Sequence, residues 1–118
     1  MGKRIISQRR GRGTTTYKAH SYRWKYEVKH RKYDEVEKKS VVQGKIIDLV
    51  HSKGHQTPIA IIRYENEKVY MNAPEKVRVN DAVESGLNAA IKNGNTLPLK
   101  NIPDGTLVFN LELQPGDG

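Results

Sequence analysis

The chain has 118 residues, 36% of them hydrophobic, with a formal net charge of +8 and a sequence pI of about 9.8. That length allows one small domain with an extension, and the apolar fraction, though low, still permits a core. The lack of cysteine excludes disulfides and thiolate metal sites, and no apolar run nears the ~18 residues of a membrane span.

The first element is a basic arm, residues 1–40. It opens Met1-Gly2-Lys3-Arg4 with no apolar segment behind it, so it does not read as a secretory signal. Gly2 could begin a myristoylation motif, but the required hydroxyl falls one position late, at Ser7. Thirteen Lys/Arg face four acids in this segment, an excess of +9, whereas residues 41–118 hold eight and nine, a net of −1. One third of the chain thus carries the whole excess. The arm shows neither a strand nor a sustained helical period, and with so little apolar surface it is expected to be largely disordered when alone.

The same segment holds five of the eight aromatic residues, Tyr17, Tyr22, Trp24, Tyr26 and Tyr33. Lys and Arg neutralise phosphates and release counterions, and the guanidinium fork pairs phosphate at two oxygens. Interleaved rings offer stacking surfaces to unpaired bases, which favours folded or single-stranded RNA over a regular duplex. No recognition helix for a DNA major groove is legible. The residues expected to bind RNA are Lys3, Arg4, Gln8, Arg9, Arg10, Arg12, Lys18, His20, Tyr22, Arg23, Trp24, Lys25, Lys29, Arg31 and Lys32. His30, in the same segment, is expected to stack on RNA or hydrogen-bond to it. The blander readings of such an arm are a solvated basic tail, a membrane-surface patch or a targeting signal. The interleaved aromatics and the β-rich domain behind them favour nucleic acid.

From Val41 the pattern turns to β. Residues 41–50 predict a strand with Gly44 as a bulge or close-packing point, 51–57 a hairpin loop, 58–64 a second strand and 65–67 a tight turn. Residues 68–72 predict a third strand ended by Pro74, and Val77 with Val79 a short fourth. Residues 82–91 are ambiguous. Val83, Leu87, Ala90 and Ile91 have helical spacing, but Gly86 and the short length oppose it. Residues 106–113 predict a last strand with Leu107, Phe109, Leu111 and Leu113 on one face. The expected fold is all-β, a small five- to six-stranded OB-type barrel over residues 41–113, preceded by the extended arm.

His51 and His55 stand four apart, but in a predicted hairpin loop rather than on a helix, so they do not form a metal-binding face and no metal is expected. Glu65, Glu67, Glu75, Asp81 and Glu84 fall in turns or on strand rims, and no phosphate loop or nucleophile elbow occurs. Neither an enzyme nor a cofactor is expected. The alternative function is a general single-stranded nucleic-acid binder of the OB class working on its sheet face, where Tyr64, Tyr70 and Phe109 lie.

Two stretches carry a family likeness. The opening Gly2-Lys3-Arg4-Ile5-Ile6-Ser7-Gln8-Arg9-Arg10-Gly11-Arg12-Gly13-Thr14 resembles the start of the ribosomal large-subunit protein L-two family in its archaeal and eukaryotic form. Gly94-Asn95-Thr96-Leu97-Pro98-Leu99, Ile102-Pro103-Asp104-Gly105-Thr106, Asn110-Leu111-Glu112 and Pro115-Gly116-Asp117-Gly118 resemble that family's closing signature in order and spacing. Residues 17–40 are the most divergent. The resemblance implies a structural role in the cytoplasmic ribosome, with large-subunit ribosomal RNA and neighbouring ribosomal proteins as partners, and no membrane or small-molecule substrate. It implies strands and loops around residues 82–93, which displaces the helix, and a specific loop shaped by Gly94, Asn95 and Pro98. Residues 114–118 are expected to begin a linker to a second domain outside this chain.

Overall fold

A computed structural model gives the fold, with residues 2–118 described apart from the side chain of Arg9. Four strands, β1 (Val41–Val50), β2 (Ile59–Arg63), β3 (Lys68–Asn72) and β4 (Ala82–Gly86), form one antiparallel sheet in the order β3-β2-β1-β4. The long strand β1 is shared. Its first half pairs with β4 from Val41 opposite Gly86 to Lys45 opposite Ala82, and its second half pairs with β2 from Lys45 opposite Arg63 to Val50 opposite Ile59.

The register between β1 and β2 shifts between Ile46 and Asp48, so Ile47 is an extra residue with no partner. A bulge of this kind resets the two-residue alternation. That is why Ile46 is fully buried, Ile47 faces outward, and Leu49 packs back against the core. Gly44 is the close-packing point instead: a Cβ there would stand 2.7 Å from the Tyr64 ring. The core is Ile46, Ala60, Ile62, Tyr64, Val69, Met71 and Val83. Burial of so few aliphatic side chains, at ~1.5–3 kcal/mol each, leaves a small domain dependent on its polar ties as well.

Both sheet edges are met by irregular chain. On the β3 side the Lys29 N–H donates to the Tyr70 carbonyl at 3.0 Å. On the β4 side Thr96 forms a parallel bridge with Ser85. Covering edges in this way blocks pairing with other chains. The loop behind Thr96 is organised by Asn95. Its Oδ1 accepts from the Glu84 N–H at 2.9 Å, and its Nδ2 donates to the Ala90 carbonyl at 2.9 Å and to Glu84 Oε2 at 3.4 Å. Gly94 has φ +92°, a backbone conformation strained for a side chain, and a Cβ there would also stand 3.3 Å from Val83, so glycine is favoured. Asn95→Ala leaves the Glu84 N–H and the Ala90 carbonyl without these partners. The expected loss is about 2 kcal/mol, read as a lower midpoint in chemical denaturation; an unchanged midpoint would mean the loop folds without this network.

Two expectations are corrected. The expected fourth strand at Val77 and Val79 is a pair of turns, because Lys76 at φ 62° and Asn80 at φ 78° interrupt any extended run. The fourth strand is instead residues 82–86, with no helix over 82–91. The expected strand over residues 106–113 is absent: this segment has no ladder partner, Asn110 sits at φ 53°, and Leu107 is 99% and Leu113 98% exposed. The named strands form one open four-stranded antiparallel sheet, which makes the described fold mostly β.

Candidate nucleic-acid interface

Within residues 1–40 the structure separates two parts that composition treats alike. Residues 26–40 lie against the sheet. Tyr26 packs on Tyr70 of β3 with ring centroids 5.2 Å apart. A short helix, Glu35–Lys39, begins at Asp34, whose side chain accepts from the Val36 and Glu37 N–H groups. Asp34 followed by Glu37 at the third helical position is a capping pattern, the sequence signal that could have revealed this helix.

Arg31 is the hub of that part. Its Nη2 lies 2.6 Å from Asp34 Oδ2, Nη1 3.2 Å from Glu37 Oε1 and Nε 2.7 Å from Glu67 Oε1. The Nε contact makes no aligned hydrogen bond and is coulombic. The guanidinium also lies 5.6 Å from the centroid of the Tyr64 ring, within cation–π range. Glu37 is buried, and its Oε1 accepts from Ser85 Oγ of β4 at 2.7 Å. One arginine thus joins the helix, the β2–β3 turn and the sheet. The pairing raises the Arg31 pKa, chiefly through its hydrogen bond to Asp34. Burial pushes the Tyr64 phenol up to about 12.

The hydrogen bond from Arg31, then that from the Glu37 N–H, holds the Asp34 carboxyl at about 2, below its ordinary 3.8. A carboxyl depressed in the folded state stabilises the fold above its unfolded pKa and loses that contribution as pH falls through its folded pKa. Asp34→Asn is therefore expected to reduce the loss of stability between about pH 4 and pH 2. Acid unfolding followed at constant ionic strength would test this; superimposable acid limbs for the two proteins would refute the coupling.

His30 also turns inward: Nε2 lies 2.6 Å from the Asn110 carbonyl, while Asn72 Nδ2 donates to Asn110 Oδ1 at 3.2 Å. These contacts tie the C-terminal segment to β3, and they occupy the ring that the sequence assigned to RNA. Glu112 Oε2 accepts from the Gly116 N–H at 2.9 Å. Asn95 and Glu112, both in the closing signature, thus fasten backbone, while Asn110 of the same signature is held by the side chains of His30 and Asn72. An apolar cleft of about 770 Å³ lies beside this segment, with Leu99, Leu107, Phe109 and Leu111 in its walls. Its Arg31 and Glu37 are already paired with each other.

Residues 2–25 are different. They hold eight Lys/Arg (Lys3, Arg4, Arg9, Arg10, Arg12, Lys18, Arg23 and Lys25) and no acid, while residues 26–118 hold thirteen Lys/Arg and thirteen acids. The whole net charge therefore lies in 2–25. Apart from Arg9, whose side chain is outside the described set, every residue from 2 to 25 is exposed. The local folds are small: a turn of helix, Ile6–Arg9, with Gln8 Oε1 accepting from the Ile5 N–H at 3.3 Å, and a 3-10 turn, Ser21–Arg23. Cations and rings are already associated. Arg10 lies 5.4 Å from the Tyr17 ring and Arg23 5.8 Å from the Tyr22 ring, while His20 meets Tyr22 edge-on at 5.6 Å. Gly11 and Gly13 sit at φ +82° and +73° beside Arg10 and Arg12 and let the chain bend between them.

Of the other expected RNA-binding residues, Lys29 is exposed and paired with Glu27 at 3.1 Å, and Lys32 is exposed beside the Arg31 hub. His55 Nδ1 lies 2.9 Å from Ser52 Oγ, and among the described residues no group of three His, Cys, Asp or Glu forms a metal-sized cluster. The molecule extends 70 × 30 × 28 Å with a radius of gyration of 19.5 Å, against about 13.5 Å for a compact chain of this length. It is a small body with a long cationic projection.

No protein-family model matches the chain. Curated relatives do. It is 48% identical over 119 aligned residues to large ribosomal subunit protein uL2 of Methanothermobacter thermautotrophicus, and 50% identical over 119 to the proteins of that name from Methanocaldococcus jannaschii and Methanopyrus kandleri. Each match covers all of this chain and 49% of the relative, so the chain spans about half the length of the curated relatives it matches. Along its whole length, then, the chain is homologous to a portion of large ribosomal subunit protein uL2, the family that its opening and closing motifs resemble.

Proposed function

We propose that the chain is a structural, non-enzymatic RNA-binding component of the large ribosomal subunit in the cytoplasm, with residues 2–25 laid along folded ribosomal RNA and the rest serving as their anchor. The observation that carries this reading is the charge partition: eight cations without an acid, all those with described side chains exposed, interleaved with Tyr17, Tyr22 and Trp24, on a body whose charges cancel. Such an arm supplies sequence-independent phosphate affinity and stacking surfaces, while the body sets where it lies. The relatives named above are large-subunit ribosomal proteins, and neighbouring ribosomal proteins are partners consistent with that assignment. We read the sheet as that of an OB-type barrel, a reading supported by the hand-over of β1 from β4 to β2 and by the segments covering both edges.

The alternative, single-strand binding on the sheet face, is disfavoured by its aromatics. Tyr64 is buried under Arg31 and Tyr70 is packed against Tyr26, which leaves no platform of exposed rings on the strands. Competition separates the two. The 118-residue chain bound to large-subunit ribosomal RNA is expected to resist displacement by an unstructured single-stranded RNA. Equal displacement by both RNAs would favour the general binder.

A further inference from the structure

The loop between β1 and β2 carries chemistry that the charge partition does not use. Trp24, the only tryptophan of the chain, rests on Gly54 in this loop. A Cβ on Gly54 would stand 2.6 Å from Trp24 Nε1 and 2.7 Å from Cγ, closer still to Cδ1, so only glycine leaves room for the indole. The loop is held from within. Ser52 is buried, its Oγ lies 2.9 Å from His55 Nδ1, and the His55 N–H donates to the Ser52 carbonyl at 3.2 Å. That leaves His51 and Lys53 exposed beside the contact.

Trp24 itself remains 60% exposed, with one side on the loop and the rest open to solvent. The chain on its other flank is also fastened. Lys25 Nζ lies 5.7 Å from the Tyr26 ring, and Tyr26 packs on Tyr70. Tyr17 and Tyr22 are instead engaged by Arg10 and Arg23 of their own segment. Trp24 is thus an arm aromatic seated on the body, where a stacking partner would find it already ordered.

We infer that Trp24, Lys25 and Lys53 form a nucleotide clamp: the open side of the indole stacks an unpaired RNA base, and the two lysines take the flanking phosphates. The inference rests on the RNA-binding reading above and adds a contact from the body, Lys53, to those of the arm. Stacking on tryptophan tolerates any base because every base has a π face. The lysines act as point charges that do not demand a fixed phosphate geometry.

The lone tryptophan makes the test specific. The full chain is titrated with large-subunit ribosomal RNA of Methanocaldococcus jannaschii, with affinity read by filter binding and the site read separately by Trp24 emission and its access to acrylamide. Trp24 emission is expected to fall by about half or more on binding and its acrylamide access to be lost. Lys53→Glu, at an exposed tip, is expected to weaken binding about tenfold without lowering the thermal midpoint. Gly54→Val, which expels the indole, and Trp24→Ala are expected to weaken it similarly, and Trp24→Phe to restore most of the affinity. If the parent chain binds while Trp24 stays as bright and accessible as in the free protein, or if Lys53→Glu binds like the parent, the clamp is wrong and the arm reading stands. If the parent does not bind this RNA by either readout, both readings fall.

Discussion

Raising the salt from about 50 to about 200 mM is expected to weaken binding of the chain to large-subunit ribosomal RNA by about 10³–10⁵-fold. The number follows from the eight cations of residues 2–25, each displacing about one counterion from phosphate. A logarithmic slope of about −7 would fit eight contacts; a flat dependence would sink the proposed role. The structure also sets where the arm can be cut. Removal of residues 1–25 takes away the entire net charge and leaves the Tyr26, Arg31 and Glu37 contacts in place. That deletion should abolish most of the affinity, collapse the salt slope and leave cooperative unfolding intact. Removal of residues 1–40 should instead unfold the body, because it strips the Arg31 hub and exposes the β3 edge. If the longer deletion proved as stable as the shorter one, residues 26–40 would have no structural role.

Arg31→Ala is expected to cost about 3 kcal/mol, the scale for breaking a buried pair, and to lower the thermal midpoint by on the order of 15 °C. The side chains of Arg31 and Glu37 are 12% and 5% exposed, so deleting the guanidinium strands a buried carboxylate that retains only Ser85 Oγ. Replacing both partners, Arg31→Met with Glu37→Leu, should recover much of the loss, because an apolar pair leaves no stranded charge. Arg31→Lys keeps the charge but not the fork that reaches three carboxylates, and should fall between the two. The alternative, that Arg31 binds RNA like the other arm arginines, predicts the opposite pattern: an unchanged midpoint with weaker RNA binding. Differential scanning calorimetry and filter binding on the same variant decide between them.

How much of this was legible in the residues depended on the range of the interaction. Residues 68–72 alternate apolar and polar side chains, and they form β3 with Val69 and Met71 buried, because a two-residue period is a local property. Residues 106–113 alternate just as well and form no strand. Alternation makes a strand possible, but a ladder needs a partner edge, and the β3 edge is occupied at Tyr70 by the Lys29 N–H. The bulge at Ile47 was hidden for the same reason: register exists only between strands. In the closing signature, Asn95 and Gly94 were identifiable as a loop, but that Asn95 closes on Glu84 and Ala90 is known only from the fold.

The residues alone establish a cationic, aromatic-rich arm on a β-rich body of nearly balanced charge, together with the family likeness. Charge and aromatic content add up along a chain without regard to its path, so they can be counted. Which arginine meets phosphate and which meets carboxylate cannot be counted. Arg23 and Arg31 are the same residue type in the same basic segment, yet one lies exposed beside Tyr22 and the other is enclosed by Asp34, Glu37 and Glu67. That difference exists only in the folded molecule, because burial and the approach of a turn 36 positions along the chain are not local properties. The fold confines the acid-free cationic run to residues 2–25 and rests Trp24 on the hairpin loop.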